Sequence, residues 1–222
     1  MKITDILIDI DGTITDTKAV ETNALIILFD KYNISHTEND IKHYSEINEN
    51  LWLDFENGLI TKSKLRIKRF EVLFHDMHVK CNYEQFAKEY FELYSKSAIP
   101  FKGAIELLNK LHGNYKLHIV SNGSTDVQYY KLKKLNILHL FNNVFLSEEI
   151  GYAKPDQRFF EHVHSRINVT NKEQVLVVGD SLSADINGGK QFGYKTCYVG
   201  ACESNADYSI NSLSELISII KE

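Results

Sequence analysis

The chain has only two prolines, Pro100 and Pro155, and neither falls between Lys18 and Ser97, so no proline interrupts a helix there. Cysteine is equally scarce. Cys81, Cys197 and Cys202 are an odd number at no metal-ligand spacing, which argues for free thiols in a reducing compartment over a disulfide framework. No apolar run approaches the ~18 residues that cross a bilayer, and no charged and apolar leader stands ahead of the first strand. A soluble, cytoplasmic protein is therefore expected. Charge of one sign is lacking too: 25 Lys and Arg stand against 30 Asp and Glu, a net charge of −5, and neither half carries the dense basic face that a nucleic acid polymer requires. The nearest basic run, Lys62, Lys64, Arg66, Lys68 and Arg69, is interleaved with Leu65, Ile67 and Phe70 and reads as the wet side of a helix.

What is present is a change of period. Met1 to about Ile14 reads as a strand and its turn. Apolar positions then recur at helical intervals, as in Ala24, Ile27 and Leu28 and later Phe86, Tyr90, Leu93 and Tyr94. After Pro100 and Gly103, short apolar runs alternate with helical segments, and Leu117–Val120, Val144–Leu146, Val175–Val178 and Thr196–Val199 read as buried parallel strands. The expected fold is α/β: a doubly wound parallel-sheet core over residues 1–14 and 98–222, with a helical cap inserted over 15–97. An insert following the first strand starts at the carboxyl ends of the strands, and is expected to act as a lid there. At the C-terminus, Asp207–Ile210 followed by Leu213, Leu216, Ile217 and Ile220 reads as an edge strand and a closing amphipathic helix.

The strand ends carry the chemistry. Ile6-Leu7-Ile8-Asp9-Ile10-Asp11-Gly12-Thr13 places two carboxylates where an apolar strand stops, and side chains two apart leave a strand on the same side. One carboxylate can attack phosphorus, while a second, kept protonated by the like charge beside it, can deliver a proton to the departing oxygen. Gly12 permits a turn whose backbone amides face an anion. Val120-Ser121-Asn122-Gly123 ends the next core strand with a hydroxyl and an amide, which serve either as a turn or as donors to a phosphoryl group. Lys154, before Pro155, is either a solvated lysine or a counter-charge for phosphate and nucleophile. Val177-Val178-Gly179-Asp180-Ser181-Leu182-Ser183-Ala184-Asp185 adds two more acids. Helix capping by Asp180 is an alternative, but four acids at one sheet edge would repel one another, and magnesium, which takes hard oxygen ligands and keeps several waters, accounts for them better.

In this order these residues resemble the haloacid dehalogenase superfamily of phosphohydrolases over essentially the whole chain. The resemblance implies Asp9 as the nucleophile that becomes an aspartyl phosphate, and Asp11 as the acid that protonates the leaving alcohol and later activates water. It implies magnesium held by the Asp9 carboxylate, the Asp11 backbone carbonyl and the Asp180 carboxylate, with Asp185 orienting a water or Lys154. Gly12, Ser121, Asn122 and Lys154 would hold the phosphate. The presence of Asp11 argues against dehalogenation, since the carbon-halogen members lack that acid.

A narrower resemblance concerns the substrate. Leu51-Trp52-Leu53-Asp54-Phe55-Glu56-Asn57-Gly58-Leu59-Ile60-Thr61, with Ser121-Asn122-Gly123 and Ser147 to Pro155, is similar to bacterial 5′-nucleotidases that act on noncanonical pyrimidine nucleotides. A small phosphorylated partner, a nucleoside monophosphate, is expected, with Trp52 or Phe55 stacking on the base; core packing is the other role open to Trp52. Asp11-Gly12-Thr13-Ile14-Thr15-Asp16-Thr17 looks more like phosphoglycolate phosphatases and β-phosphoglucomutase, which stand as the alternatives. The nine histidines, His75, His78, His162 and His164 among them, show no zinc pattern. A monomer or weak dimer is expected.

Overall fold

The computed structural model describes residues 2–220, and Met1, at the start of the first expected segment, lies outside them with the last two residues of the chain. Two compact units result: one combines the residues up to Asp16 with those from Ala98 onward, and the other is Thr17–Ser97.

The first unit is built on a parallel sheet of β1 (Asp5–Ile8), β2 (Lys116–Ser121), β3 (Asn143–Leu146), β4 (Val175–Gly179), β5 (Lys195–Val199) and β6 (Tyr208–Ile210), in the spatial order β3-β2-β1-β4-β5-β6. The order reverses between β1 and β4, so the loops leaving these two strands diverge and open a crevice at their carboxyl ends. Alternation along each strand supplies two cores. Ile6, Ile8, Leu117, Ile119, Leu176 and Val178 pack on one side, and Leu7, Val120, Val175 and Val177 on the other with Phe159, Phe160 and Val163. Because both faces are covered, the strands read as continuous apolar runs.

Around this sheet lie helices that, counted after the four of the second unit, are α5 (Ala104–Leu111), α6 (Thr125–Lys134), α7 (Ser147–Ile150), α8 (Gln157–Arg166), α9 (Gly188–Phe192) and α10 (Leu216–Ile220). A π-helical turn, Leu182–Asn187, runs into α9. The closing C-terminal helix is shorter than the sequence pattern implied, because a 3₁₀ turn, Leu213–Glu215, takes its first residues.

The second unit contains α1 (Thr17–Lys31), α2 (Glu38–Glu56), α3 (Lys62–Asp76) and α4 (Tyr83–Ser95). Thr37 opens α2 with a capping box closed by Asp40, and Thr61 and Asn82 cap α3 and α4. An aromatic core of Phe29, Tyr44, Phe70, Phe74, Phe86 and Tyr90 joins them. One expectation fails here. Arg69 is not on the wet side of α3 but buried, its guanidinium 4.7 Å from the Tyr90 ring and 3.2 Å from Asn48 Oδ1. Asn48 in turn donates to the buried Glu21 at 3.1 Å, so the charge is compensated inside the unit. Among the described residues no helix is long and apolar enough to cross a membrane, and the three cysteines are free.

Candidate active site

At the end of β1 the backbone pairs for one more residue, Asp9 N–H donating to Val178 C=O at 3.0 Å, and then turns. Gly12 makes that turn with φ +83°, and a Cβ there would lie 2.1 Å from Asp180 Oδ2. Any side chain at position 12 would push Asp180 away, so the glycine is fixed by close approach as well as by conformation. Gly12 N–H donates to Thr15 C=O at 2.9 Å, within the turn.

Asp9 is buried, and its Oδ1 accepts from Lys154 Nζ at 2.8 Å. Lys154 is not a solvated lysine: it is buried, and its ammonium also donates to Asp185 Oδ1 at 2.6 Å and Val120 C=O at 2.9 Å, which uses all three protons. The side chain of Asn122 fixes the Lys154 backbone, accepting from its N–H at 2.9 Å and donating to its C=O at 2.8 Å. Expected at phosphate, Asn122 thus has both amide atoms engaged by the lysine loop. Ser121 is buried, and its Oγ accepts from Gly123 N–H at 3.0 Å.

After β4, Ser181 caps the π-helical turn through Ala184 N–H, which leaves Asp180 with no capping role. Asp180 Oδ1 instead accepts from the Thr13 hydroxyl at 3.1 Å. Asp185 accepts Lys154 on one oxygen and Ser181 N–H, at 3.2 Å, on the other.

Among the described residues, Asp9, Asp180 and Asp185 are the set of potential metal ligands that converges, with one carboxylate oxygen from each within 4.8 Å of the others. Burial pushes the Asp9 carboxyl well above the usual range, Lys154 pulling it down and Asp185, Asp180 and Asp11 pushing it further up. Burial and Asp185 likewise push Asp180 up to about 7, against the Thr13 hydroxyl and Lys154. Burial acts to lower the Lys154 ammonium, but Asp185 and Asp9 outweigh it and raise it, so the lysine stays charged. Three converging carboxylates, of which Asp9 and Asp185 are buried and share one ammonium, leave an excess of negative charge when ionised. A hard divalent cation fits that donor set and relieves the excess. Both oxygens of Asp185 are taken by protein donors, so Asp9 and Asp180 are the carboxylates better placed to hold it.

Asp11 follows a different course. Its carboxylate, about a quarter exposed, is gripped by two donors from α6, Gln128 Nε2 and Lys131 Nζ. No motif in the sequence marks either residue. Lys131 stands one turn after buried Val127 and Gln128 one turn before buried Leu132, and a lysine on an apolar stripe was the available signal. Trp52 and Phe55 lie in the helical unit, half-buried, edge to face at 5.5 Å, with Lys62 Nζ 5.6 Å from the Phe55 ring; neither belongs to that unit's core.

Comparison with known proteins gives the family. The model of the family described as haloacid dehalogenase-like hydrolase matches residues 6–199. The HAD-hydrolase YfnB of Bacillus subtilis is 34% identical over 97% of this chain and 94% of its own. A crystal structure of YfnB bound to magnesium superposes with a TM-score of 0.94 at 32% identity, covering 100% of both chains. Pyrimidine 5′-nucleotidase YjjG of Escherichia coli is 29% identical over 87% of this chain and 88% of its own. Pyrimidine 5′-nucleotidase PynA of Streptococcus pneumoniae is 30% identical over 97% and 94%.

Proposed function

Because the chain belongs to the haloacid dehalogenase-like hydrolase family, we propose that it is a magnesium-dependent phosphomonoesterase acting through an aspartyl phosphate, and that its substrates are pyrimidine nucleoside 5′-monophosphates. The observation that carries the reading is the Asp9 carboxylate, buried at the carboxyl end of β1 and held at 2.8 Å by an ammonium that has no other outlet than Asp185 and a backbone carbonyl. A carboxylate held in one orientation, with one oxygen bonded to the lysine, is a fixed nucleophile.

In the first step an Asp9 oxygen forms a bond to phosphorus as the bond from phosphorus to the ester oxygen breaks. Asp11 gives its proton to that oxygen, which leaves as the nucleoside hydroxyl. In the second, Asp11 takes a proton from water, whose oxygen attacks the same phosphorus. The bond to Asp9 breaks, releasing inorganic phosphate and restoring the carboxylate. Lys154 favours the ionised form of Asp9 against the push of burial and offsets the phosphoryl charge, and Ser121 supplies a hydroxyl near the end of β2. Magnesium would be held by the Asp9 and Asp180 carboxylates and the Asp11 backbone carbonyl, and supplies charge neutralisation at the phosphoryl oxygens.

The pyrimidine assignment rests on the names of YjjG and PynA, with Trp52 and Phe55 as the proposed base contacts. Phosphate release is measured from dUMP, dTMP, UMP, purine monophosphates, phosphoglycolate and β-glucose 1-phosphate, with magnesium and with chelator. Pyrimidine nucleotides are expected to lead by at least about tenfold in kcat/KM, ~1.4 kcal/mol of transition-state preference. Preference for phosphoglycolate, or isomerisation of the sugar phosphate without phosphate release, overturns the substrate.

A further inference from the structure

Lysine is seldom fully buried, yet among the described residues of the sheet unit two are. Lys154 serves Asp9; Lys131, 1% exposed, donates to Asp11 Oδ1. Gln128, also 1% exposed, donates to Asp11 Oδ2, and its own Oε1 is buried without a partner. An apolar residue would cost less at both positions, since a buried ammonium and an unpaired amide oxygen each carry a desolvation penalty. Their common feature is Asp11.

The preceding loop makes room for this grip. A Cβ on Gly123 would fall 1.6 Å from Gln128 Nε2, so no side chain at 123 is compatible with Gln128 reaching Asp11. The Ser121-Asn122-Gly123 segment therefore holds itself through Ser121, fixes the Lys154 backbone through Asn122, and leaves a passage for Gln128 at Gly123.

We propose that Gln128 and Lys131 are positioning residues for Asp11, a two-pronged clamp on its carboxylate that sets the plane in which it exchanges a proton with the leaving group. Gln128 meets one oxygen and Lys131 the other, and a carboxylate oxygen accepts along two lone-pair directions, so these two donors do not by themselves fill it. The inference rests on the acid role given to Asp11 above. The clamp adds no contact to phosphate or metal; it acts through orientation, where small displacements cost large factors in rate.

The test compares kcat/KM for a nucleotide, whose alcohol must be protonated to leave, with that for p-nitrophenyl phosphate, whose phenolate leaves unaided. Lys131→Met and Gln128→Met are expected to lower kcat/KM for the nucleotide about tenfold, a part of the 10²–10⁴ that a positioned acid contributes, and for p-nitrophenyl phosphate less than about twofold. Lys131→Arg restores part of the loss. Equal losses for both substrates, or none in a folded variant, overturn the clamp; if Lys131→Met does not fold, Gln128→Met alone decides by the same criterion. Asp11→Asn serves as control. If it shows the leaving-group dependence and the clamp variants do not, the clamp alone fails; if Asp11→Asn does not show it, the acid role and the clamp fail together.

Discussion

At the scale of the residue, the site depends on charges that the fold makes costly. Asp9 is buried beside Asp180 and Asp185 with one ammonium among them, and burial pushes its carboxyl well up. Asp9→Asn removes a nucleophile together with a carboxyl whose ionised form burial disfavours. Turnover is expected to fall by at least about a thousandfold, as for other covalent nucleophiles, while the Tm measured without magnesium does not fall. A variant that retains turnover, measured with the metal saturating, contradicts the role given to Asp9. These residues were legible because each acid stands at the end of an apolar run: Ile6-Leu7-Ile8 before Asp9, Val177-Val178-Gly179 before Asp180. Lys131 and Gln128 were not. Their helix carries few aliphatic residues, and only the buried neighbours Val127 and Leu132 mark the stripe that they share.

At the scale of the element, the strands followed from the sequence because both faces of the sheet are covered, so burial leaves no polar alternation to obscure them. Arg69 shows the opposite case. A run of five basic residues on α3 looked uniformly solvated, but helical spacing turns Arg69 inward beside Leu65, Phe70 and Leu73, where Asn48 links it to Glu21. Arg69→Met removes the guanidinium from Asn48, which links it to Glu21, and is expected to destabilise the protein by about 1–3 kcal/mol, the cost of leaving a buried hydrogen-bonding group without its partner. The double variant Glu21→Gln, Arg69→Met is expected to recover most of that loss in denaturant unfolding. Simple additivity of the two substitutions contradicts the coupling.

At the scale of the whole molecule, the acid cluster ties stability to pH and metal. Asp180, pushed up to about 7, and Asp9, also raised, hold protons in the folded chain that the unfolded chain releases near its ordinary carboxylate value of 3.8. Between about pH 4 and 7 the folded state therefore binds more protons, and the stability of the metal-free protein falls as pH rises through that window. Magnesium, binding the ionised carboxylates, offsets this. The Tm gain on adding magnesium is accordingly expected to be larger at pH 8 than at pH 5.5, and a gain independent of pH contradicts the placement of the ion among these acids.

The most direct measurement of the central claim is acid-quenched turnover of a nucleotide carrying labelled phosphate, followed by digestion and location of the label. Label on the peptide that contains Asp9, released by hydroxylamine as an acyl phosphate and absent in Asp9→Asn, is the predicted result. Turnover without labelled protein at any quench time, or label on another residue, contradicts an aspartyl phosphate at Asp9.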